Sequence, residues 1–440
     1  MKKQIYQANN GYIYSYITGK LFFLSDKGRK IVEAISDEKD LYTLCENEEI
    51  TKEEYGALFN LLFSRKSLKV DNDLAKLQLV ITNACNMKCT YCYEQKGCFQ
   101  DNAKNMTLEM GKEIIDYFFE KYRYIQAISF FGGEPFLNGM LIEEICAYLE
   151  QKYKNRYGTL YMMSNFYDVS DRNIEMIKRY NIRLTVSLDG DKVVNINRIT
   201  KKGEETFEKV SNNIERSIRV CKQPEAIEAT LSGIHNRNGW TETDVAKYLN
   251  SKFGIKYCST VPANGYDDEY KTEENALRVK NAMSLYIKKG IVTDIMADVV
   301  KVLSGSQCNE LFCSAGIKQY TVMPNGDIYP CQIYAGLSSN EYCFGNIMKM
   351  DKEQWNNVTK RMLELNEKKK ICEGCEIAGF CTPCIGAMVC DNHNLKDGCL
   401  QRKKYIEDII NALAEIYVKK DKWNALVERL KGDKKEWSTI

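Results

Sequence analysis

The sequence predicts an α/β protein built on an open, partial (β/α)6 TIM-like barrel, with a small unit ahead of it and a cysteine-rich region behind. Three observations predict it. From Leu77 to about residue 300, short apolar strands alternate with amphipathic helices, at spacings that suit right-handed βαβ units. Groups of chemistry-bearing residues fall directly after those strands, where such barrels place their ligands. Most of the 18 cysteines gather in two stretches, residues 85–92 and 308–399.

The bulk numbers bound the answer. A chain of 440 residues exceeds one ordinary domain, so two or three are expected. It is 44% hydrophobic and 28% charged, which suits a soluble protein with a sizeable core. With 62 basic and 60 acidic residues the net charge is only +2, so no footprint for nucleic acid or membrane follows. Residues 1–10 lack the apolar core of a signal peptide, and no apolar run approaches the ~18–20 residues of a membrane span. The expectation is a cytoplasmic protein. In a reducing cytosol, clustered cysteines read as metal ligands or catalytic groups before disulfides. The two histidines, His235 and His393, leave little material for histidine chemistry and receive no role.

In residues 1–75, Tyr12, Tyr14 and Tyr16 alternate with Ile13, Ser15 and Ile17. Thr18-Gly19 turns the chain into Lys20–Leu24, a hairpin signal. Ser25 caps a helix over Asp26–Ile35, and Thr51 with Glu54 forms a capping box for Lys52–Phe63. Next come strands at Leu77–Thr82, Ala127–Phe131, Thr159–Ser164, Arg183–Leu188, Glu225–Gly233 and Ile255–Thr260. Helices between them cover Thr107–Tyr122, Leu141–Tyr153, Ser170–Arg179, Glu204–Val220 and Thr241–Lys252. Gln319–Cys331 is a second hairpin signal, with Asn325-Gly326 at its turn, and 402–430 reads as an amphipathic helix pair.

The first strand runs into Cys85, Cys89 and Cys92, a C-x3-C-x2-C array. Three thiolates within eight residues can wrap one small inorganic object. Structural zinc wants a fourth ligand, whereas a four-iron cluster held by three cysteines keeps one iron open for chemistry. Gly132-Gly133-Glu134-Pro135 follows the second strand, Ser164-Asn165 the third, and Ser187-Leu188-Asp189-Gly190 the fourth, with Arg198 eight residues beyond Gly190. Downstream, Cys313 and Cys331 bracket C-x12-G-x4-C. Then come Cys372, Cys375, Cys381, Cys384 and Cys399; in isolation the C-x2-C-x5-C-x2-C part is equally a zinc ribbon.

The C-x3-C-x2-C array, Tyr91 before its last cysteine, and the Gly-Gly-Glu-Pro turn resemble the radical S-adenosylmethionine (SAM) enzymes. The cysteines beyond Cys308 resemble their SPASM subgroup, which matures peptides and proteins. The resemblance covers about residues 76–400. It implies a catalytic cluster on Cys85, Cys89 and Cys92, and SAM contacts from Tyr91 and from Gly132, Gly133, Glu134 and Pro135, whose turn would hold the methionine ammonium. It further implies Asn165, Ser187 and Asp189 for the ribose and Arg198 for the carboxylate. Relatives often carry His-Asp ahead of that arginine; this chain reads Asn195-Ile-Asn-Arg198. Two auxiliary clusters are implied, one on Cys308, Cys313, Cys331 and Cys384, the other on Cys372, Cys375, Cys381 and Cys399. The Cys381–Cys384 interval is one residue short of the family pattern, which raises Cys390 as a rival to Cys384. The front hairpin and helices resemble the winged-helix element that holds a leader peptide; a plain structural cap is the other reading.

The expected organisation is a winged-helix-like domain at 1–75, a partial barrel at 76–300, an auxiliary-cluster domain at 301–400 and C-terminal helices at 401–440. The expected cofactors are SAM and three 4Fe–4S clusters. The expected partners are a precursor peptide with a leader and a low-potential electron donor such as flavodoxin or ferredoxin. The implied activity is cross-linking of a ribosomally made peptide, with a Cys-derived thioether as the bond. Two alternatives stand beside it: anaerobic sulfatase maturation, which makes formylglycine, and a non-catalytic zinc-ribbon or electron-transfer protein. No acidic residue stands out as a general base.

Overall fold

The computed structural model describes residues 5–16, 18, 20–36, 51–63, 72–92, 104–263, 268–304, 312–336, 340–366, 375, 377, 381, 383–386, 389 and 395–433. Cys308, Cys372 and Cys390 lie outside them. The chain divides into two compact units.

The larger unit comprises Asp71–Thr272 and Ser314–Leu365. Its strands are β1 (Asp73–Thr82), β2 (Tyr124–Gly132), β3 (Tyr157–Ser164), β4 (Arg183–Ser187), β5 (Ala226–Leu231), β6 (Tyr257–Pro262), β7 (Gln319–Val322) and β8 (Ile328–Tyr329). They lie in the order β6-β5-β4-β3-β2-β1-β7-β8. The pairs from β1 to β6 are all parallel, as the six predicted βα units require. β7 also joins in parallel, pairing Gln319–Val322 with Lys76–Leu79, and turns back antiparallel into β8. Gly326 at that turn has φ 91°, a conformation glycine tolerates best.

Alternation along the strands sorts the two faces. Leu77, Leu79, Ile128, Phe130, Leu184, Val186, Ile227 and Ala229 are wholly buried on one face. Helices Leu108–Lys121, Gly139–Lys152, Asp171–Arg179, Phe207–Cys221 and Glu242–Phe253 connect the strands. Burial of each large apolar side chain contributes about 1.5–3 kcal/mol. Gln78, Ser129, Tyr161 and Arg183, paired strand to strand in that order, form a polar row on the other face. Glu225 closes the row with a bidentate ion pair to Arg183.

The smaller unit comprises Met1–Val70, Glu273–Cys313 and Asn366–Ile440. A three-stranded antiparallel sheet (Ile5–Gln7, Tyr12–Ser15, Lys20–Phe23) precedes helices Asp26–Ser36 and Lys52–Phe63. The predicted caps are present: Ser25 Oγ accepts from Gly28 N–H at 3.2 Å, and Thr51 and Glu54 cap reciprocally at 3.0 and 3.1 Å. Ile13, Leu24, Val32 and Leu62 make a small core. Tyr14 donates to the Val302 carbonyl at 2.7 Å, while Asn411, on helix Leu395–Val418, accepts from Asn9 N–H and donates to Tyr6 Oη. The N-terminal sheet and the C-terminal helices, expected as separate domains, are thus parts of one body. No helix among the described residues is long and apolar enough to cross a membrane.

Candidate active site

The cysteine loop is anchored from three sides. β1 ends at Thr82, and the Gly132–Glu134 turn after β2 presses against the loop's first residues. Gly133 N–H donates to the Thr82 carbonyl at 3.0 Å, and Glu134 N–H to the Ala84 carbonyl at 2.8 Å. A Cβ on Gly132 would stand 2.1 Å from the Thr82 carbonyl oxygen, and one on Gly133 2.4 Å from that of Ala84. The glycines therefore admit the loop's own backbone, a closer demand than the approach to a ligand that the sequence suggests. On the far side, Lys88 and Thr90 N–H donate to the Ile199 and Asn197 carbonyls. The loop is clamped between the turn after β2 and the segment after β4.

Cys85, Cys89 and Cys92 are in no disulfide and are partly exposed. Met87 N–H and Asn165 Nδ2 reach Cys85 Sγ at 3.4 and 3.6 Å. Burial pushes the Cys85 thiol up to about 12, Met87 opposes the shift, and Glu134, Cys89 and Cys92 add smaller upward contributions. Cys89 is raised by burial, against the nearby Arg198 guanidinium.

Behind the loop lies a buried polar group. Tyr91 Oη donates to Asp189 Oδ2 at 2.5 Å and accepts from Arg198 Nη1 at 3.1 Å. Asp189 Oδ1 accepts from Thr230 N–H at 3.0 Å, with Arg198 Nη1 3.8 Å away. Asp189 is 0% exposed and Arg198 6%. Burial raises the Asp189 carboxyl, and Arg198 opposes it. Arg198 Nε is buried with no hydrogen-bond partner among the described residues. His235, given no role from sequence, is wholly buried; its Nε2 donates to the Asp189 carbonyl at 2.9 Å and its Nδ1 accepts from Ser232 N–H. A lone histidine gave no signal because only the fold brings it to Asp189.

Glu134 is equally committed. Its carboxylate accepts from Phe136 N–H, Ser164 Oγ and Asn165 N–H at 3.1, 2.8 and 2.7 Å. Burial raises its carboxyl to about 7 despite those donors. Pro135 opens the short helical turn after it. The side chain of Glu134 thus ties β2 to β3, and Ser187 ends β4 partly exposed on the open face.

In the smaller unit Cys399 is raised by burial and then by Cys375, so these two thiols stand near each other. Cys381 N–H donates to the Ile377 carbonyl at 2.9 Å, Cys313 N–H to Asn366 Oδ1 at 2.8 Å, and Cys384 is exposed. Cys331 lies in the larger unit, buried directly after β8. Among the described residues no three Cys, His, Asp or Glu side chains converge on a point that holds a single metal ion.

A parallel β/α sheet with a cysteine loop at the end of its first strand defines the class, and comparison with known families agrees. Residues 79–250 match the Radical SAM superfamily, so the chain carries that enzyme domain. Residues 313–376 match SPASM, an iron–sulfur cluster-binding domain. The cysteine-type anaerobic sulfatase-maturating enzyme of Clostridium novyi is 24% identical over 68% of this chain and 83% of its own. The antilisterial bacteriocin subtilosin biosynthesis protein AlbA of Bacillus subtilis is 20% identical over 88% of each chain. The solved structure of anSMEcpe with bound AdoMet superposes with TM-score 0.64 at 20% identity, over 81% of this chain and 98% of that one. That likeness establishes the shared fold.

Proposed function

We propose that this chain is a radical SAM maturase that cross-links a ribosomally made, Cys-containing precursor peptide, most simply through a thioether. Cys85, Cys89 and Cys92 would hold a 4Fe–4S cluster, which would bind SAM beside the loop. The donor set fits: three neighbouring thiols on one clamped loop, with N–H donors aimed at Cys85 sulfur. The unpartnered, buried Arg198 Nε fits the SAM carboxylate, since such a donor is costly unless a ligand satisfies it. The Gly132–Glu134 turn lends backbone carbonyls to the ammonium, and Asn165 and Ser187 line the approach to the sugar. When bound, these cofactors supply a 5′-deoxyadenosyl radical that takes a hydrogen atom from the substrate. The chain's part is to hold the cysteine loop, orient SAM and exclude water.

Eight of the remaining cysteines are read as two auxiliary 4Fe–4S sites, to which the proximity of Cys375 and Cys399 lends support. A low-potential donor of the flavodoxin or ferredoxin kind would feed the catalytic site.

The observation that carries peptide maturation over sulfatase maturation is coverage. The bacteriocin-biosynthesis relative aligns with 88% of this chain, the sulfatase-maturating one with 68%. The deciding experiment measures iron, sulfide and zinc after anaerobic reconstitution, beside the Cys85/Cys89/Cys92 triple alanine variant. About twelve irons falling to about eight, with loss of 5′-deoxyadenosine formation, are expected. Zinc with little iron would overturn the radical reading. Incubation with a Cys-containing precursor should remove two hydrogens per cross-link; conversion of a sulfatase peptide to formylglycine would favour the alternative.

A further inference from the structure

Resemblance assigns Asn165 to the ribose, yet its side-chain amide has both hydrogens placed inside the protein. Nδ2 donates to Asn86 Oδ1 at 2.8 Å and to Cys85 Sγ at 3.6 Å, while Oδ1 accepts from Tyr167 N–H at 2.9 Å. A primary amide carries two donor hydrogens, so neither is left for a ligand. The main-chain N–H is committed as well, to Glu134 Oε2 at 2.7 Å.

Two neighbours fix which way the amide points. A backbone N–H claims Oδ1, and a backbone N–H can only donate. On the other side Asp168, acceptor-only when ionised, takes a hydrogen from Asn86 Nδ2 at 3.0 Å, which turns Asn86 Oδ1 toward Asn165. Lys209 pairs with Asp168 from the surface. The nitrogen of Asn165, not its oxygen, therefore faces the cysteine.

The backbone gives an independent sign that this turn is held for a purpose. Phe166, next in sequence, is wholly buried at φ 57°, a conformation bulky residues avoid. Its N–H donates to Ser164 Oγ at 2.9 Å, and Asn213 Nδ2 donates to the Phe166 and Tyr167 carbonyls at 2.9 and 3.0 Å. Such strain persists only where the surroundings over-determine it, and it gathers at functional sites. What this turn delivers is Asn165, aimed back at the cysteine loop.

We propose that Asn165 is a positioning residue for the catalytic cluster: its amide orients Cys85 and hydrogen-bonds that thiolate, holding the cluster's reduction potential higher than it would otherwise be. Reduction adds one negative charge, shared with the sulfurs, so a donor placed there favours the reduced form. Met87 N–H also reaches Cys85 Sγ, but it belongs to the main chain of the loop itself. Among the described residues Asn165 is the side-chain donor to that sulfur. The proposal rests on the cluster reading of Cys85, Cys89 and Cys92.

The test is a redox titration of anaerobically reconstituted full-length enzyme without SAM, followed by electron paramagnetic resonance. The catalytic signal is the part that the Cys85/Cys89/Cys92 triple alanine variant lacks. Asn165→Ala should lower the reduced-to-oxidised ratio at a fixed potential about tenfold, a downward shift of about 59 mV for one electron. Asn165→Asp keeps the size and the acceptor for Tyr167 N–H but replaces the donor with a carboxylate, and should shift at least as far. That variant keeps the comparison alive if the alanine variant takes up no iron. Asn165→Asp at the wild-type potential would reduce Asn165 to packing and overturn the proposal. Unchanged potentials in both variants, with SAM bound more weakly, would return Asn165 to the sugar and overturn it equally. A wild-type spectrum identical to that of the triple variant would strike at the cluster reading itself and take this proposal with it.

Discussion

The Tyr91 hydroxyl donates to Asp189 Oδ2 across 2.5 Å, although 98 positions separate them in the chain. One end of the bond sits between Cys89 and Cys92, the other after β4, so it staples the cysteine loop to the barrel. Arg198 donates back to the same hydroxyl. Tyr91 is read from sequence as an aromatic ring beside a cofactor; its oxygen is the part with the longest reach.

Tyr91→Phe keeps the ring and deletes the staple. Asp189 Oδ2 and Arg198 Nη1 each lose a partner in a buried place, which costs about 1–3 kcal/mol. Urea unfolding of the reconstituted protein should register that loss. An unchanged midpoint and slope would mean that the hydroxyl contributes nothing to holding the loop.

Gly133→Ala tests the backbone clamp. Its Cβ would meet the Ala84 carbonyl oxygen at 2.4 Å, so the turn and the cysteine loop cannot both keep their places. The variant should carry about four fewer irons and form no 5′-deoxyadenosine. Full iron content would show that the contact is not needed to shape the loop.

Glu134 predicts a pH dependence. Its carboxyl is raised from 4.5 to about 7 by burial, so between those values the folded protein keeps a proton that the unfolded chain has released. Stability therefore falls as pH rises through this window, by roughly 3 kcal/mol in full, and levels off above it. Glu134→Gln cannot titrate; it should show an offset but lack that slope when the two are unfolded in urea at pH 5 and pH 7.5. Parallel profiles would place the Glu134 pKa near its ordinary value.

Deleting residues 1–70 should loosen the C-terminal helix Leu395–Val418. The deletion removes Tyr14 from the Val302 carbonyl and Tyr6 and Asn9 from Asn411. Amide hydrogen exchange across Leu395–Val418 should accelerate at least tenfold in the truncated protein. Unchanged protection there would restore the view of an independent front domain.

Much of this was readable in advance, for local reasons. β1 to β6 announce themselves through alternating Val, Ile, Leu and Phe, and the caps at Ser25 and Thr51 depend on neighbours three residues away. The site motifs were visible because each sits where a strand stops. What stayed hidden depends on distance along the chain. Nothing local in Gln319–Val322 says that it will pair with Lys76–Leu79, and nothing in Asp189 says that its carboxylate will be consumed by Tyr91. The commitment of Glu134 to Ser164 and Asn165 was likewise invisible, because its donors arrive on the next strand.

The parallel pairing of β7 with β1 also bears on inheritance and engineering. A graft that exchanged everything after residue 313 for the corresponding part of a relative would strip Lys76–Leu79 of its neighbour, in the very strand that delivers the cysteine loop. Bare strand edges recruit whatever backbone they meet. The cluster-binding appendage is thus no detachable cassette: a chimera has to carry Gln319–Tyr329 along with the barrel, and recombination that breaks between them should be purged.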